Sequence, residues 1–147
     1  MNRWIAAALV VLALGLAVWV VAGRNTDTPT LPQVPAGGYV EISVSTLGKL
    51  LQLPQEERDF VLLNVHIPYA GDIPGTDLVL PYNRLAEYLD QLPQDKGQPI
   101  VVYCRSGAMS RAAARTLVEL GYTRVYDVTG GMNAWRASGG RLVFVKR

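Results

Sequence analysis

The sequence predicts an α/β domain with a mostly parallel central sheet flanked by helices, preceded by one N-terminal transmembrane helix. Beyond residue 39, strand-like and helix-like segments alternate, as they do in parallel sheets covered by helices. Two of the strand-like segments, 60–66 and 99–104, are almost continuously apolar, which is typical of strands buried on both faces. An uncharged apolar run over residues 4–22 predicts the transmembrane helix.

The first segment, residues 1–23, is expected to be a membrane anchor or a signal peptide. As a helix, residues 4–22 would be about 28 Å long, close to the ~30 Å hydrocarbon core of a bilayer. Trp19 suits the membrane interface of a retained span, whereas Val20-Val21-Ala22 would suit a signal cleavage site. Both interpretations place the domain outside the cytoplasm, on the periplasmic side in a bacterium. A buried helix of a soluble protein is a third interpretation of the same run.

Two further parts follow the anchor. Residues 24–38 form a linker with prolines at 29, 32 and 35, which predicts an extended, largely unfolded spacer. Residues 39–147 are predicted to form the single folded domain, since a chain of 147 residues holds one ordinary domain and not two.

Each element of the domain has its own signal. Ser43 or Ser45 is placed to cap a helix through residue 53, and the alanine-rich helix over 110–120 ends at Gly121. Apolar spacing predicts a helix over 83–92, and Gly130-Gly131 opens a short last helix that ends near residue 139. The predicted strands are 39–42, 60–66, 77–82, 99–104 and 123–128, with 142–146 as an edge strand or an ordered tail.

Composition excludes several classes of function. The formal charge is +2 and no basic run occurs, so no nucleic-acid partner is expected. One cysteine rules out an intramolecular disulfide. With only one cysteine and one histidine, the chain lacks the usual ligands of a zinc site, so no metal or cofactor is expected. A lone thiol exported to an oxidising compartment is a liability unless it has a use.

That cysteine, Cys104, ends the strand with the clearest signal, and a helix begins a few residues later. Ligands of open parallel sheets bind outside the carboxyl ends of the strands. A short turn with a central glycine can direct successive N–H groups at one anion, and the helix start adds its dipole. Arg105 and Arg111 add positive charge. A cysteine at a strand end is often only a small buried hydrophobe, but the following Arg-Ser-Gly-x-x-Ser and helix favour a reactive thiolate.

Residues 101–135 resemble the active-site half of a single-domain rhodanese, a thiosulfate sulfurtransferase-like family. The matches are the aliphatic strand into Cys104, the loop Cys-Arg-Ser-Gly-x-x-Ser, the alanine-rich helix, Gly121-Tyr122, and Gly130-Gly131-Met132 with Trp135. A weaker match reaches back to about residue 40. The resemblance implies a rhodanese-like fold for the domain.

The resemblance also implies a mechanism. The Cys104 thiolate attacks the outer sulfur of a small anionic donor such as thiosulfate, releases sulfite, and holds the sulfur as a persulfide. Since the chain has no second cysteine, the acceptor must be external: cyanide, a small thiol or a protein cysteine.

The other residues of the loop have separate expected roles. Arg105 is expected to recognise the donor, while Ser106, Gly107, Ala108 and Met109 supply mainly backbone N–H groups. Ser110 is expected to cap the helix, with a contact to the thiolate left open. Two arginines lie one turn apart on that helix, and we expect Arg111 to face the pocket and Arg115 to face solvent. Gly130, Gly131 and Trp135 are expected to shape the neighbouring loop.

The first half of the domain departs from the family pattern. Asn64-Val65-His66 stands where many rhodaneses read Asp-x-Arg, and Gly71-Asp72-Ile73-Pro74-Gly75 stands for Gly-His-Ile-Pro-Gly. His66 ends its strand at the same sheet edge as Cys104, so it could orient or charge the pocket, or be structural only. These departures leave the donor specificity open.

Two alternatives compete with sulfur transfer. One is a cysteine-dependent phosphatase, which needs Cys-x5-Arg to clamp a tetrahedral dianion; in this chain Ser110 holds that position and the arginine comes one residue later, at Arg111. The other is a non-catalytic or redox-sensing interaction module that keeps the fold.

Overall fold

The sheet consists of five parallel strands. In this computed structural model, which describes residues 28–146, the strands are β1 Val40–Ile42, β2 Val61–Asn64, β3 Leu78–Val79, β4 Ile100–Tyr103 and β5 Val125–Val128. Their order is β1-β5-β4-β2-β3, and every pair is parallel. β4 is therefore central, which explains why its four residues are all buried.

Helices cover both faces of this sheet. Among the described residues they are α1 Val44–Leu51, α2 Ala108–Glu119 and α3 Gly131–Ala137. Ser43 caps α1, as predicted, because its hydroxyl accepts a hydrogen bond from the Thr46 N–H at 3.1 Å. Within residues 28–146, no helix has both the length and the apolar character needed to cross a bilayer. The predicted anchor, residues 1–23, lies outside the described residues.

Two apolar clusters fill the spaces between the layers. Alternation along each strand sends side chains to opposite faces. Val102, Cys104 and Val125 face α2 and pack with its Ala113, Ala114 and Leu117. Val101, Tyr103 and Val128 face the other way and pack with residues of α1 and α3.

The prediction of a helix over 83–92 is wrong. A 3₁₀ turn occupies Leu85–Tyr88 instead. Leu85 and Leu92 are buried, but Leu89, which would extend the apolar stripe, is exposed. With Pro93 following, the segment offers too narrow an apolar face to support a full helix.

Part of the proline-rich segment packs against the domain instead of forming an unfolded spacer. Leu31 and Val34 pack against the cluster of α1 and α3, and the Tyr126 hydroxyl donates to the Pro32 carbonyl oxygen at 2.8 Å. Residues 28–31 lie beside Phe60 and Arg124, which precede β2 and β5. This segment thus meets the sheet at the amino ends of its strands.

The C-terminal residues form an ordered tail. Val143 makes an antiparallel bridge with Asp72, with two N–H···O hydrogen bonds of 2.8 Å. The Val145 N–H donates to the Tyr69 hydroxyl at 3.1 Å. The tail therefore closes over the loop that follows β2.

Candidate active site

Cys104 lies directly after β4, at the carboxyl edge of the sheet. Its side chain is 1% exposed. The sulfur accepts a hydrogen bond from the Gly107 N–H at 3.0 Å, and the thiol donates to the Ser110 hydroxyl at 3.4 Å. The segment 104–110, which we name the Cys104 loop, thus folds back around its own sulfur atom.

The loop reverses direction at Gly107. This residue has φ of 115° and occupies the N-cap position of α2. A residue with a side chain adopts that conformation only at a cost. The glycine therefore allows its N–H to point at the sulfur while α2 begins at the next residue. N–H groups at a helix start lack intrahelical partners, so this edge is suited to an anion.

The prediction that Ser110 caps the helix is wrong. The helix begins at Ala108, so Ser110 already lies in its first turn. Its hydroxyl donates back to the Gly107 carbonyl oxygen at 3.2 Å, and the side chain is fully buried. The structure instead contains the contact between Ser110 and Cys104 that the sequence left open.

The start of α3 supports the loop from the other side. The Met132 N–H donates to the Cys104 carbonyl oxygen at 2.9 Å, and the Asn133 N–H donates to the Arg105 carbonyl oxygen at 3.0 Å. A Cβ atom at Gly131 would lie 2.1 Å from the Cys104 carbonyl oxygen. This close approach requires glycine there. Trp135 is partly buried, packs against the cluster of α1 and α3, and donates to the Arg141 carbonyl oxygen at 3.0 Å.

The basic side chains take different positions around the loop. Arg105 is exposed at the rim, as are Ser106 and Ala108, while Met109 is half-buried. Arg111 folds back over the loop, so that a Cβ atom at Gly107 would lie 2.9 Å from its Nη1. Arg115 is exposed, as expected.

His66 lies after β2, at the same edge of the sheet, and is half-buried. Burial, and secondly the positive charge of Arg105, lower its pKa from the ordinary value. It is therefore neutral at pH 7 and does not add charge to the pocket. Its buried Nδ1 has no hydrogen-bond partner within residues 28–146.

The residues that depart from the family pattern form hydrogen bonds with one another. Asn64 Nδ2 donates to Asp72 Oδ1 at 2.9 Å and to the Gly71 carbonyl oxygen at 3.0 Å, and Asn64 Oδ1 accepts from the His66 N–H at 3.0 Å. The Tyr69 hydroxyl donates to Asp72 Oδ2 at 2.8 Å. An amide–carboxylate pair thus holds the β2 loop together.

Asp127, on β5, is a buried polar residue near the site that sequence reasoning missed. It is 1% exposed, and neither carboxylate oxygen has a hydrogen-bond partner in the described part of the chain. Burial is the largest cause of a raised pKa, which Glu41 raises further, while Ser110 and Arg111 lower it. The sequence does contain one signal for this residue, a single acid within the otherwise apolar segment VYDV.

A protein-family model described as the rhodanese-like domain matches residues 54–138, more than half of the chain. The thiosulfate sulfurtransferase GlpE of Pseudoalteromonas translucida is 33% identical over 103 residues, which cover 68% of this chain and 91% of that protein. The chain belongs to the rhodanese-like domain family.

Further relatives agree with this assignment. A sulfurtransferase of Allochromatium vinosum is 34% identical over 93 residues, covering 61% of this chain and 84% of that protein. The crystal structure of a rhodanese-related protein from Thermoplasma volcanium superposes with a TM-score of 0.59 at 27% identity, covering 71% of this chain and 98% of that one. This rhodanese-like domain carries its Cys104 loop inside the matched region. No group of three or more metal-ligating side chains assembles within residues 28–146.

Proposed function

We propose that this protein is a sulfurtransferase that moves a sulfane sulfur from a donor such as thiosulfate to an external nucleophile through a Cys104 persulfide. The observation that carries the proposal is the sulfur of Cys104, bound by the Gly107 N–H at 3.0 Å at the start of α2. Hydrogen bonds from N–H groups stabilise the charged form of such a group. The thiosulfate sulfurtransferase GlpE relative supports the choice of donor.

The reaction has two displacement steps. The Cys104 thiolate attacks the outer sulfur of thiosulfate, and the electron pair of the broken S–S bond leaves with sulfite. An acceptor then attacks the outer sulfur of the persulfide, and the Cys104 thiolate leaves. Exposed Arg105, at the rim, is positioned to attract the anionic donor. Because the chain has one cysteine, the acceptor is cyanide, a small thiol or another protein's cysteine.

The phosphatase alternative has little support from the loop. A phosphatase of this type would need an arginine at position 110. That position holds Ser110, which is fully buried and whose hydroxyl contacts the Cys104 sulfur. Arg111 lies one residue later and folds against Gly107. The loop therefore suits a sulfur atom extended from Cys104 better than a clamped tetrahedral dianion.

We also propose that residues 1–23 anchor the domain to a membrane with the domain outside the cytoplasm. The uncharged run 4–22 supports this part of the proposal. Membrane fractionation and protease protection of intact cells test it. Release into the soluble extracytoplasmic fraction of a protein shortened by the signal peptide would favour a cleaved signal instead.

The sulfur-transfer proposal is tested with the full chain in detergent and its Cys104→Ala variant. Each is incubated with thiosulfate, its intact mass is recorded, and thiocyanate is followed after cyanide is added. We expect the gain of one sulfur atom in the wild type only, and its removal by cyanide. No gain in mass and no thiocyanate would exclude thiosulfate as the donor.

A further inference from the structure

Most of the exposed apolar side chains of this protein lie on two neighbouring segments, the loop after β2 and the C-terminal tail. Within residues 28–146, six large apolar side chains are exposed, and all but Leu89 belong to these segments. The five, which we name the apolar patch, are Ile67, Tyr69, Val143, Phe144 and Val145. Exposed apolar side chains scattered singly are ordinary, whereas a group of them marks an interaction surface.

The apolar patch is held in place by its backbone and not by burial of its side chains. Val143 forms two backbone hydrogen bonds of 2.8 Å with Asp72, and the Val145 N–H donates to the Tyr69 hydroxyl at 3.1 Å. The rings of Tyr69 and Phe144 meet edge to face, with 6.5 Å between their centroids. Phe144 is nevertheless 73% exposed. The tail is therefore fixed in position while its apolar side chains point to solvent.

The apolar patch begins beside the Cys104 loop. The Val65 N–H donates to the Tyr103 carbonyl oxygen at 2.9 Å, so the chain leaving β2 runs next to the chain leaving β4. Cys104 directly follows Tyr103. Ile67 is two residues beyond Val65, and two residues span at most ~7 Å. A molecule bound on the patch therefore lies against the loop that holds the reactive sulfur.

The charges around the apolar patch are of one sign. Segments 65–76, 104–110 and 141–146 form this part of the surface, and their exposed charged side chains are Arg105, Arg141 and Lys146. Asp72, which carries the carboxylate of these segments, is buried and hydrogen-bonded to Asn64. A complementary partner therefore presents apolar side chains together with acidic ones.

We propose that the apolar patch is the docking surface of the sulfur acceptor, and that this acceptor is a protein whose cysteine lies in a segment with apolar and acidic side chains. The proposal rests on the proposed function, in which a chain with one cysteine needs an external acceptor. The docked thiolate attacks the outer sulfur of the Cys104 persulfide. The S–S bond breaks, its electron pair stays on Cys104, and the acceptor leaves as a persulfide. Cyanide and other small acceptors gain nothing from the patch, which therefore selects a protein acceptor.

The first test is binding of synthetic peptides to the full chain in detergent, measured by fluorescence anisotropy. The peptides carry a central serine in place of the acceptor cysteine, and they combine acidic or basic charges with apolar or polar neighbours. We expect the acidic, apolar peptide to bind most tightly. Phe144→Ser should raise its Kd about tenfold because it removes the most exposed apolar side chain. Lys146→Glu should also raise the Kd, since it reverses a charge at the patch.

Two matched controls lie away from the apolar patch. Leu89→Ser removes the remaining exposed apolar side chain. Leu89 directly follows the 3₁₀ turn, whose Leu85 packs in the cluster that faces α2, whereas Leu142 of the tail packs on the opposite face of the sheet. Lys49→Glu makes the same charge reversal beside Pro29, near the amino ends of the strands. Neither control should change the Kd.

The second test uses the cysteine form of the acidic, apolar peptide as the acceptor for thiosulfate-loaded protein. We expect the ratio of the peptide rate to the cyanide rate to fall about tenfold in Phe144→Ser. A general defect of folding would lower both rates and leave their ratio unchanged, which would contradict the proposal.

Equal binding of all the peptides, or an unchanged Kd in Phe144→Ser, would overturn the docking surface. Peptides that bind without selectivity, together with slower amide hydrogen exchange at 143–146 when phosphatidylserine is added to the micelles, would assign the patch to a lipid surface instead. Anisotropy requires no sulfur donor, so failure of the docking surface is distinguishable from failure of thiosulfate as the donor.

Discussion

At the scale of the residue, the position of the Cys104 loop depends on a glycine that makes no contribution to the chemistry. Gly131→Ala would place a Cβ atom 2.1 Å from the Cys104 carbonyl oxygen, so the backbone of α3 or of the loop must move. We expect a loss of about 3 kcal/mol or more in the free energy of unfolding, with slower persulfide formation. Urea denaturation and the intact-mass assay measure the two effects.

Gly121→Ala is the matched control for that substitution. Gly121 has φ of 94°, but a Cβ atom there meets nothing within 4 Å. Its cost is the backbone conformation alone, about 1–2 kcal/mol. Equal losses in the two variants would contradict the claim that the contact between α3 and the Cys104 loop requires glycine.

Arg105 is the residue with which we expect the donor to make its first contact. Arg105→Ala removes a charge from the rim, so the KM for thiosulfate should rise roughly tenfold while the fold is unaffected. Arg115→Ala removes an equally exposed arginine farther along α2 and should leave the KM unchanged. Added salt should reduce the difference between the two variants, because it screens exposed charges. A KM that rises equally in both would indicate a general effect of net charge.

The sequence predicted the Cys104 loop at the end of a buried strand but not the buried acid on β5. Cys104 could be assigned because its loop is contiguous and its signal local. Asp127 is buried only once β5 has paired with β4 on one side and with β1 on the other. Such a relation between distant residues has no local pattern. The same applies to Asn64 and Asp72, which look like separate departures from the family until the structure joins them.

At the scale of the element, the loop after β2 depends on the Asn64–Asp72 pair. Asn64→Asp would place a carboxyl 2.9 Å from the Asp72 carboxylate, where both are buried. Like charges raise the pKa of one acid above its unfolded value, so the stability of this variant should fall as pH rises toward neutral. Urea denaturation at several pH values measures the loss.

The exchanged variant Asn64→Asp with Asp72→Asn is the control. It restores one amide and one carboxylate at the two positions, so most of the stability should return. A double variant no more stable than Asn64→Asp would show that the other hydrogen bonds of Asn64, to Gly71 and His66, need the amide at that position.

The elements themselves were predictable to different degrees. β4 and α2 have strong, uninterrupted patterns and appear where they were expected. β3, expected over 77–82, is a strand only at Leu78–Val79, although the N–H groups of Leu80 and Tyr82 also donate to the carbonyl oxygens of Asn64 and Val65. Apolar periodicity identified buried segments well, but it could not show that Leu89 would remain exposed.

At the scale of the whole molecule, Asp127 should make stability depend on pH. Burial, the largest cause, raises its pKa in the folded state above the unfolded value. A group of this kind contributes stability below its unfolded pKa, and this contribution is lost as pH rises through the folded pKa. Relative to the wild type, Asp127→Asn should therefore gain stability as pH rises from about 4. Denaturation by urea across this range measures it, and a difference that does not vary with pH would contradict it.

The packed segment before β1 also bears on orientation. Leu31 and Val34 hold the chain at the edge where the strands begin, whereas Cys104 lies at the edge where they end. If residues 4–22 remain in a bilayer, the five residues 23–27 separate that span from the packed segment, and five residues reach at most ~18 Å. The domain is then held by the side opposite its sulfur atom. A sulfur acceptor would then reach Cys104 from the aqueous compartment, whereas an acceptor confined to the lipid surface would have poor access to it.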